Sequence, residues 1–286
     1  MGRGYLDPPH PSPLLSLSMR YELIALDLDD TLLHTDLSIS AANRGALKEA
    51  HAGGAKIVLA SGRNIYSMET YARLLGLAGP DDYIISTNGA ELVETASGRV
   101  LEETRLDARL CFEIADALEA RDFAWQVYAP GKILYHGRNP WTDEDTRLTG
   151  LPNEAVVDRE ATLGQGQLKF VVPGEPDRIP GLRNEILELF AGRVEVIISK
   201  PYFMEVLALG VDKGRALAGL AERLAIPLDR TIAMGDAMND LGMLRAAGFS
   251  CSPANAVPAA KAAAKWVSSL TNDQDFVADA LGRWLR

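Results

Sequence analysis

The chain has 286 residues and a formal net charge of −10, which argues against a protein that binds nucleic acids or anionic membranes, since both need a dominant positive field. Hydrophobic residues make up 47% of the sequence and charged residues 24%, as in a globular protein with one large domain or two smaller ones. No apolar run approaches the roughly eighteen residues of a membrane span, so we expect a soluble, cytoplasmic protein.

The first eighteen residues are rich in proline and serine and lack the apolar core of a secretory signal, so we predict a disordered extension. From Tyr21 onward, short apolar runs alternate with helical segments, which is typical of a parallel sheet with crossover helices. Strands are predicted at 22–26, 55–61 and 82–87. Helices are predicted from a Ser40 cap to Ala50 and from Tyr66 to Leu75.

The pattern changes after Asn88 from buried runs to alternating polar and apolar residues, and we interpret this change as a domain boundary. Residues 89–207 are predicted to form an inserted domain of antiparallel strands with helices on one face. The predicted strands of this section lie at 91–103 around a Ser97-Gly98 turn, in a hairpin at 123–137, and at 167–172, 194–199 and 203–209. Its predicted helices carry Leu106, Leu110, Ile114 and Leu118 in one case and Leu182, Ile186 and Leu189 in the other.

Beyond Asp212 the crossover pattern returns, with helices at 213–224, 239–247 and 276–285 and strands at 230–235 and 248–252. The sequence therefore predicts an α/β protein in which residues 19–88 and 208–286 build one Rossmann-like core with a parallel sheet, interrupted by the inserted α+β section.

Acidic side chains follow the predicted core strands where a ligand is expected, beyond their carboxyl ends. Asp27 and Asp29 are two residues apart, so their side chains share one side of an extended backbone, and Asp236 and Asp240 add charge at the same edge. A divalent cation would make such a cluster tolerable, and oxygen ligands favour a hard ion such as Mg²⁺.

Lys213 occupies an unfavourable position for a cation, because Asp212 is a predicted N-cap and Lys213 is then the first residue of a helix. A bound phosphate and the acidic cluster would both compensate this lysine. Ser61, the Gly62 amide and the helix start at Asn239 could donate hydrogen bonds to the phosphate. A metal-held carboxylate can then act as nucleophile, with its neighbour Asp29 as acid and base, and repulsion from Asp27 is expected to keep a proton on Asp29.

These motifs resemble those of the haloacid dehalogenase superfamily, in particular the Cof-like phosphatases with a large cap domain between the second and third motifs. The matching segments are DLDDTLL at Asp27, ASGR at Ser61, VDKGRAL at Lys213 and GDAMNDLGML at Asp236, supported by STNGA at Asn88 and PANA at Asn255. The resemblance spans residues 20–286.

The resemblance implies a magnesium-dependent phosphatase that hydrolyses a small phosphomonoester through an aspartyl phosphate. Asp27 would be the nucleophile and Asp29 the acid/base, while Mg²⁺ would be held by Asp27, the Asp29 backbone carbonyl and Asp236, with Asp240 as an outer or occasional ligand. Asn88 and Gly89 would begin the cap linker and approach the substrate. The phosphate would be bound by the Leu28 amide, Ser61, Gly62, Lys213 and Asn239.

Two positions depart from the family pattern, since Asp30 and Phe276 stand where glycine is usual. The orientation of Arg63, toward the cleft or toward a carboxylate, stays open, as do the physiological substrate, the cap residues that line the cleft and the oligomeric state. Two alternatives remain beside the phosphatase: a phosphomutase or phosphotransferase of the same fold, and a phosphate-binding regulatory protein that has lost turnover.

Overall fold

Strands and helices alternate along residues 21–285, the part of the chain that the computed structural model describes; the predicted disordered extension lies outside it. The strands are β1 Leu23–Leu26, β2 Lys56–Ala60, β3 Tyr83–Ser86, β4 Glu91–Glu94, β5 Arg99–Glu103, β6 Trp125–Ala129, β7 Lys132–His136, β8 Asn153–Ala155, β9 Lys169–Pro173, β10 Val194–Lys200, β11 Phe203–Ala208, β12 Thr231–Met234, β13 Phe249–Ser252 and β14 Trp266–Val267. The α-helices are α1 Ala41–Ala52, α2 Ile65–Leu75, α3 Ala108–Glu119, α4 Thr142–Thr149, α5 Arg159–Leu163, α6 Ile179–Leu189, α7 Lys213–Arg223, α8 Leu241–Ala246, α9 Pro258–Ala263 and α10 Phe276–Trp284.

The first sheet has eight strands in the order β14-β13-β12-β1-β2-β3-β4-β5. The strands from β14 to β3 are parallel, and β1 lies at the centre between β12 and β2. Both faces of β1 are buried: Ile24 and Leu26 pack into the apolar cluster that includes α1 and α10, whereas Leu23 and Ala25 pack into the cluster that includes α7. This burial on two faces explains why the strand is a continuous apolar run, and the predicted Rossmann-like parallel sheet is confirmed.

The second sheet has six strands in the order β10-β11-β9-β6-β7-β8, and its pairs are antiparallel except for β7 with β8. Alternate residues of its central strands face opposite ways. Phe170 and Met204 lie in an apolar cluster with residues of α3 and α6, while Lys169 and Glu205 face a cleft that also borders the first sheet. The alternation therefore directs charged side chains of the second sheet toward the first.

The section predicted to be inserted from residue 89 onward begins with two strands that hydrogen-bond to the first sheet. Strands β4 and β5 continue the first sheet as antiparallel edge strands next to β3, and the second sheet begins only with β6. Alternating polarity marks any strand with one exposed face, whether that strand belongs to a separate sheet or to the edge of the core sheet. We call residues 104–208, the chain between β5 and the loop before α7, the inserted section.

Several short elements were not predicted: α4, α5, α9, β8 and β14, whose two to eight residues give little periodic signal. The predicted helix at 239–247 is a short 3₁₀ turn followed by α8. Phe276 is fully buried and stacks on Trp266 at a centroid distance of 6.4 Å, so the side chain that replaces the usual glycine fills the core under α10. Among residues 21–285, no helix has both the length and the apolar character needed to cross a membrane.

Candidate active site

The sequence motifs converge because their strands are neighbours. Asp27 follows β1, Ser61 follows β2, Thr87 follows β3 and Gly235 follows β12, and these four strands are adjacent and parallel. Their carboxyl ends therefore lie along one edge of the sheet. The segments predicted to meet are brought together by the order β12-β1-β2-β3.

A tight turn over Leu28–Leu32 follows Asp27 and carries the chain across this edge. Asp30 has φ 58° and ψ 10°, which is the left-handed region where glycine is favoured and aspartate is tolerated better than most other residues. The side-chain amide of Asn255 donates to the Asp30 carbonyl at 2.8 Å and holds the turn. Asp30 thus adopts the left-handed conformation that glycine reaches most easily, at a position where the family usually has glycine.

Lys213 is fully buried and lies between two carboxylates. Its Nζ donates to Asp27 Oδ1 at 2.6 Å and to Asp240 Oδ1 at 2.7 Å. Asp212 caps α7 as predicted, since its side chain accepts from the Arg215 amide at 3.0 Å. Burial alone would lower the pKa of Lys213, but Asp240 and Asp27 raise it above its ordinary value, so the lysine is a permanent cation of the site.

Asp240 also fixes the loop that carries Asp236. Its Oδ2 accepts from the backbone amides of Asp236 and Ala237, each at 2.9 Å, and Thr31 Oγ1 donates to Asp236 Oδ1 at 2.8 Å. Gly235 is required here, because a Cβ at this position would lie 2.6 Å from the side chain of Asp240. Asp240 is therefore a structural partner of both Lys213 and the Asp236 loop.

The carboxylates of Asp27, Asp236 and Asp240 offer oxygen atoms that all lie within 4.8 Å of one another. Burial raises the pKa of Asp27 well above its ordinary value, with Asp240 adding to the shift and Lys213 opposing it. Burial and then Asp240 raise the pKa of Asp236 to about 7. One lysine does not balance three buried acids, and an all-oxygen set with surplus negative charge fits a hard divalent cation.

The side chain of Asp29 turns away from this cluster and pairs with Arg63. Arg63 Nε and Nη2 donate to the two oxygens of Asp29 at 2.8 and 2.7 Å, and Arg63 Nη1 donates to the Leu148 carbonyl at 3.1 Å. Burial would raise the pKa of Asp29, but the hydrogen bonds and charge of Arg63 outweigh it and lower the pKa. The expectation that repulsion from Asp27 keeps a proton on Asp29 is therefore wrong for this arrangement. Arg63 both borders the cleft and pairs with a carboxylate.

The residues predicted to bind phosphate lie on loops held by short contacts. The Asn88 amide donates to the Ser61 carbonyl at 3.0 Å, and Asn239 Nδ2 donates to Asn88 Oδ1 at 2.9 Å.

Two glycines of these loops leave no room for a side chain. Gly62 lies beside the Asn88 side chain, so that an added Cβ would come within 3.0 Å of Asn88 Oδ1. Gly89 has φ 100° and packs against the Asp212 carbonyl, where an added Cβ would lie at 2.5 Å. The Leu28 side chain is buried in the core, which leaves only its backbone for the predicted role.

A buried ion pair of the inserted section, which the sequence analysis missed, contacts these loops. Glu205 Oε2 accepts from Lys169 Nζ and from Asn88 Nδ2, each at 3.0 Å, and Lys169 Nζ donates to the Gly62 carbonyl at 2.9 Å. The Lys169 and Glu205 side chains are only 3% and 7% exposed. The sequence offered one signal of this pair, because β9 and β11 are otherwise apolar and each contains one charged residue. Charged residues in buried strands need a partner, so an ion pair between the two strands could have been predicted.

A cleft of about 330 Å³ lies between the two sheets and contains the site. On the side of the first sheet it is lined by Asp27, Asp29, Asp30, Gly62, Arg63, Ala237, Met238, Asn239 and Val257. On the side of the inserted section it is lined by Tyr128, Asp145, Leu148, Thr149, Lys169, Val171, Ile197, Ile198, Ser199, Lys200, Phe203 and Glu205. The cleft thus joins the Asp27 carboxylate to a pocket of mixed polarity.

Known proteins resemble this chain over most of its length. The sequence model of the haloacid dehalogenase-like hydrolases matches residues 24–281. The chain is 31% identical to 5-amino-6-(5-phospho-D-ribitylamino)uracil phosphatase YcsE of Bacillus subtilis over 267 residues, 92% of this chain and 96% of that protein. It is 30% identical to phosphatase YwpJ of the same organism over 283 residues, 90% and 97% of the two chains. A haloacid dehalogenase-like hydrolase structure from Bacteroides thetaiotaomicron superposes with a TM-score of 0.86 at 29% identity, covering 92% of this chain and 99% of that one.

Proposed function

Because the chain belongs to the haloacid dehalogenase-like hydrolase family, we propose that it is a magnesium-dependent phosphatase that hydrolyses a small phosphomonoester through an aspartyl phosphate. The observation that carries this proposal is the position of Asp27. Its carboxylate lies at the end of the central strand, beside the ammonium of Lys213 at 2.6 Å, and borders a cleft large enough for a small ester.

In the first step an oxygen of Asp27 attacks phosphorus while the bond from phosphorus to the leaving oxygen breaks. Lys213 would offset negative charge beside the attacking carboxylate, and the loop amides near Ser61 and Gly62 and the Asn239 side chain would orient the phosphoryl oxygens. Asp29 gives the leaving oxygen its proton. In the second step Asp29 takes a proton from water as the water attacks phosphorus, and inorganic phosphate leaves with Asp27 regenerated.

Asp29 must separate from Arg63 and take up a proton from solvent before it can act as the acid, because the salt bridge favours its ionised form. The proton that Asp29 gains in the second step returns to solvent when the pair with Arg63 forms again. A leaving group that reaches Asp29 would have to approach it beside Arg63, which bonds the Leu148 carbonyl of the inserted section, and would compete with Arg63 for the carboxylate. We propose that Arg63 holds Asp29 ionised until substrate enters between them.

Mg²⁺ would be held by Asp27, Asp236 and the Asp29 backbone carbonyl, and when bound it would supply positive charge that offsets the phosphate and the surplus of acids. Both carboxylate oxygens of Asp240 already accept hydrogen bonds, one from Lys213 and the other from two backbone amides. Its main role would therefore be to position the loop that carries Asp236. The inserted section would serve as a cap that excludes water from the cleft and contacts the leaving group.

The test is release of inorganic phosphate from p-nitrophenyl phosphate and from a panel of sugar and nucleotide monophosphates, with MgCl₂ and with EDTA. We expect magnesium-dependent turnover that Asp27→Asn abolishes without loss of the fold. Asp177→Asn, at an exposed position outside the cleft, is the matched control. Absence of turnover on every substrate would contradict the proposal and favour a phosphate-binding regulatory protein. Product analysis addresses the other alternative, because an isomerised sugar phosphate instead of free phosphate would identify a phosphomutase.

A further inference from the structure

The leaving-group end of the cleft can be located from Arg63. Asp29, which must reach the leaving oxygen, is held by Arg63, and Arg63 also bonds the Leu148 carbonyl near the end of α4. Asp145 lies one helical turn before Leu148 and lines the same cleft. The substituent on the leaving oxygen therefore extends toward α4 and the neighbouring strand β6.

Asp145 is a buried carboxylate that the chemistry at phosphorus does not use. It is 4% exposed, and Tyr128 donates its hydroxyl hydrogen to Asp145 Oδ2 at 2.8 Å. Within residues 21–285 this is the one hydrogen bond that the Asp145 carboxylate receives from the protein, and no lysine or arginine forms an ion pair with it. Lys169 makes a cation–π contact with Tyr128, since its Nζ lies 5.4 Å from the centroid of the tyrosine ring.

The positive charges around the cleft compensate Asp145 only in part, since none of them pairs with it directly. Arg63 is bonded to Asp29, and Lys169 is bonded to Glu205 and to the Gly62 carbonyl. Lys200 also lines the cleft, but within residues 21–285 it forms no ion pair with Asp145 and is not among the charges that shift the pKa of Asp145. Burial raises the pKa of Asp145 to about 6 although Lys169 and the Tyr128 hydroxyl oppose the shift, as expected for an acid with too few donors around it.

We infer that Asp145 and Tyr128 form the leaving-group subsite, and that they select phosphate esters whose leaving group carries hydroxyl or amino hydrogen-bond donors and no second anionic group. A donor on the substrate supplies the hydrogen bonds that the buried carboxylate lacks, whereas a second carboxylate or phosphate on the leaving group meets a negative charge that no lysine or arginine of the cleft pairs with directly. This inference rests on the proposed phosphatase activity and adds the substrate class to it.

The experiment measures kcat/KM for two esters with hydrogen-bond donors on the leaving group, glucose 6-phosphate and glucosamine 6-phosphate, and for 3-phosphoglycerate, whose leaving group carries a carboxylate. The reference is p-nitrophenyl phosphate, which has no donor on its leaving group. The wild type should prefer the two donor-rich esters over 3-phosphoglycerate by at least about tenfold. Asp145→Asn should reduce that preference by about ten- to hundredfold, the usual effect of losing a hydrogen bond to a charged group. Tyr128→Phe should reduce it in the same direction by less, because Asp145 keeps its charge but loses its orienting partner.

The matched control is Asp143→Asn, an exposed acid on the same helix that pairs with Arg138 outside the cleft, and it should leave the preference unchanged. Thermal unfolding of each variant shows whether the fold is intact. A wild type that prefers 3-phosphoglycerate, or an Asp145→Asn variant that slows every substrate including the aryl ester by the same factor, would overturn the subsite. If either of these two results is found but the wild type hydrolyses p-nitrophenyl phosphate, the subsite is refuted and the phosphatase proposal still stands. If the wild type hydrolyses none of the four esters, both the subsite and the phosphatase proposal are refuted.

Discussion

Arg63 holds Asp29 through two parallel hydrogen bonds, of 2.8 Å from Nε and 2.7 Å from Nη2. Its third nitrogen, Nη1, donates to the Leu148 carbonyl of the inserted section. The guanidinium thus links the proposed acid/base to the other side of the cleft. Only arginine has the planar fork that can make all three bonds at once.

We expect Arg63→Lys to lower kcat/KM about tenfold and Arg63→Met to lower it further, because the first loses the paired hydrogen bonds that position Asp29 and the second loses every hydrogen bond from this side chain to Asp29 and to the Leu148 carbonyl. Steady-state kinetics with p-nitrophenyl phosphate measures both. Arg73→Met, at an exposed arginine of α2 that pairs with Glu69, is the control. Activity of Arg63→Met equal to that of the wild type would show that the bridge has no part in turnover.

Lys213→Met should destabilise the protein by about 3–5 kcal/mol, because it leaves two buried carboxylates without their shared cation. Added Mg²⁺ should recover part of the lost stability by returning positive charge to the cluster. Urea denaturation with and without MgCl₂ measures both effects, and Lys48→Met on the exposed face of α1 is the comparison. An unchanged midpoint for Lys213→Met would refute the electrostatic account of the site.

The ion pair of Lys169 and Glu205 allows a double-mutant cycle. Lys169→Met and Glu205→Gln each leave one buried charge unpaired and should each cost about 3–5 kcal/mol of unfolding free energy, whereas the double variant should cost clearly less than the sum. Phosphatase activity should fall in all three, because Asn88 and Gly62 lose partners that orient them. Denaturation of the four proteins gives the coupling energy, and strictly additive costs would argue against a coupled pair.

Gly214 allows the close approach of α7 and α8, since a Cβ on it would lie 2.2 Å from the Gly242 carbonyl carbon. Gly214→Ala should cost about 1–3 kcal/mol and displace Lys213 at the start of α7. Gly45→Ala in α1, where no atom lies within 4 Å of the added Cβ, should instead stabilise by about 0.5–1 kcal/mol. Chemical denaturation distinguishes the two, and equal effects at both positions would contradict the steric explanation.

Asp145 should make stability depend on pH in a defined direction. Its pKa is about 6 in the folded protein, above the ordinary value of 3.8, so the folded state holds the proton more tightly than the unfolded state. The stabilisation is therefore fully present below about pH 4 and is lost as the pH rises through 6. Asp145→Asn should gain about 3 kcal/mol relative to the wild type between pH 4 and pH 7. Denaturation curves at several pH values test this, and a difference that does not vary with pH would refute it.

Local chemistry was sufficient for the core of the fold. The apolar runs at 22–26 and 55–61 are strands because they are buried on both faces, and the caps at Ser40 and Asp212 form as their side chains predict. The sequence could not assign β4 and β5, because alternation shows that one face is exposed and does not show which sheet supplies the neighbouring strand.

For the site, the sequence by itself predicted which charged residues meet: Asp27, Lys213 and Asp236 stand at strand and helix ends, and the structure brings their side chains to one edge of the sheet. Only the tertiary structure decided the state of Asp29 and the partners of Lys169, Glu205 and Asp145. Their roles depend on contacts between β9, β11, α4 and the loops of the first sheet, which lie up to 117 residues apart in the chain. Burial and pairing of charge are properties of that packing, and no local pattern encodes them.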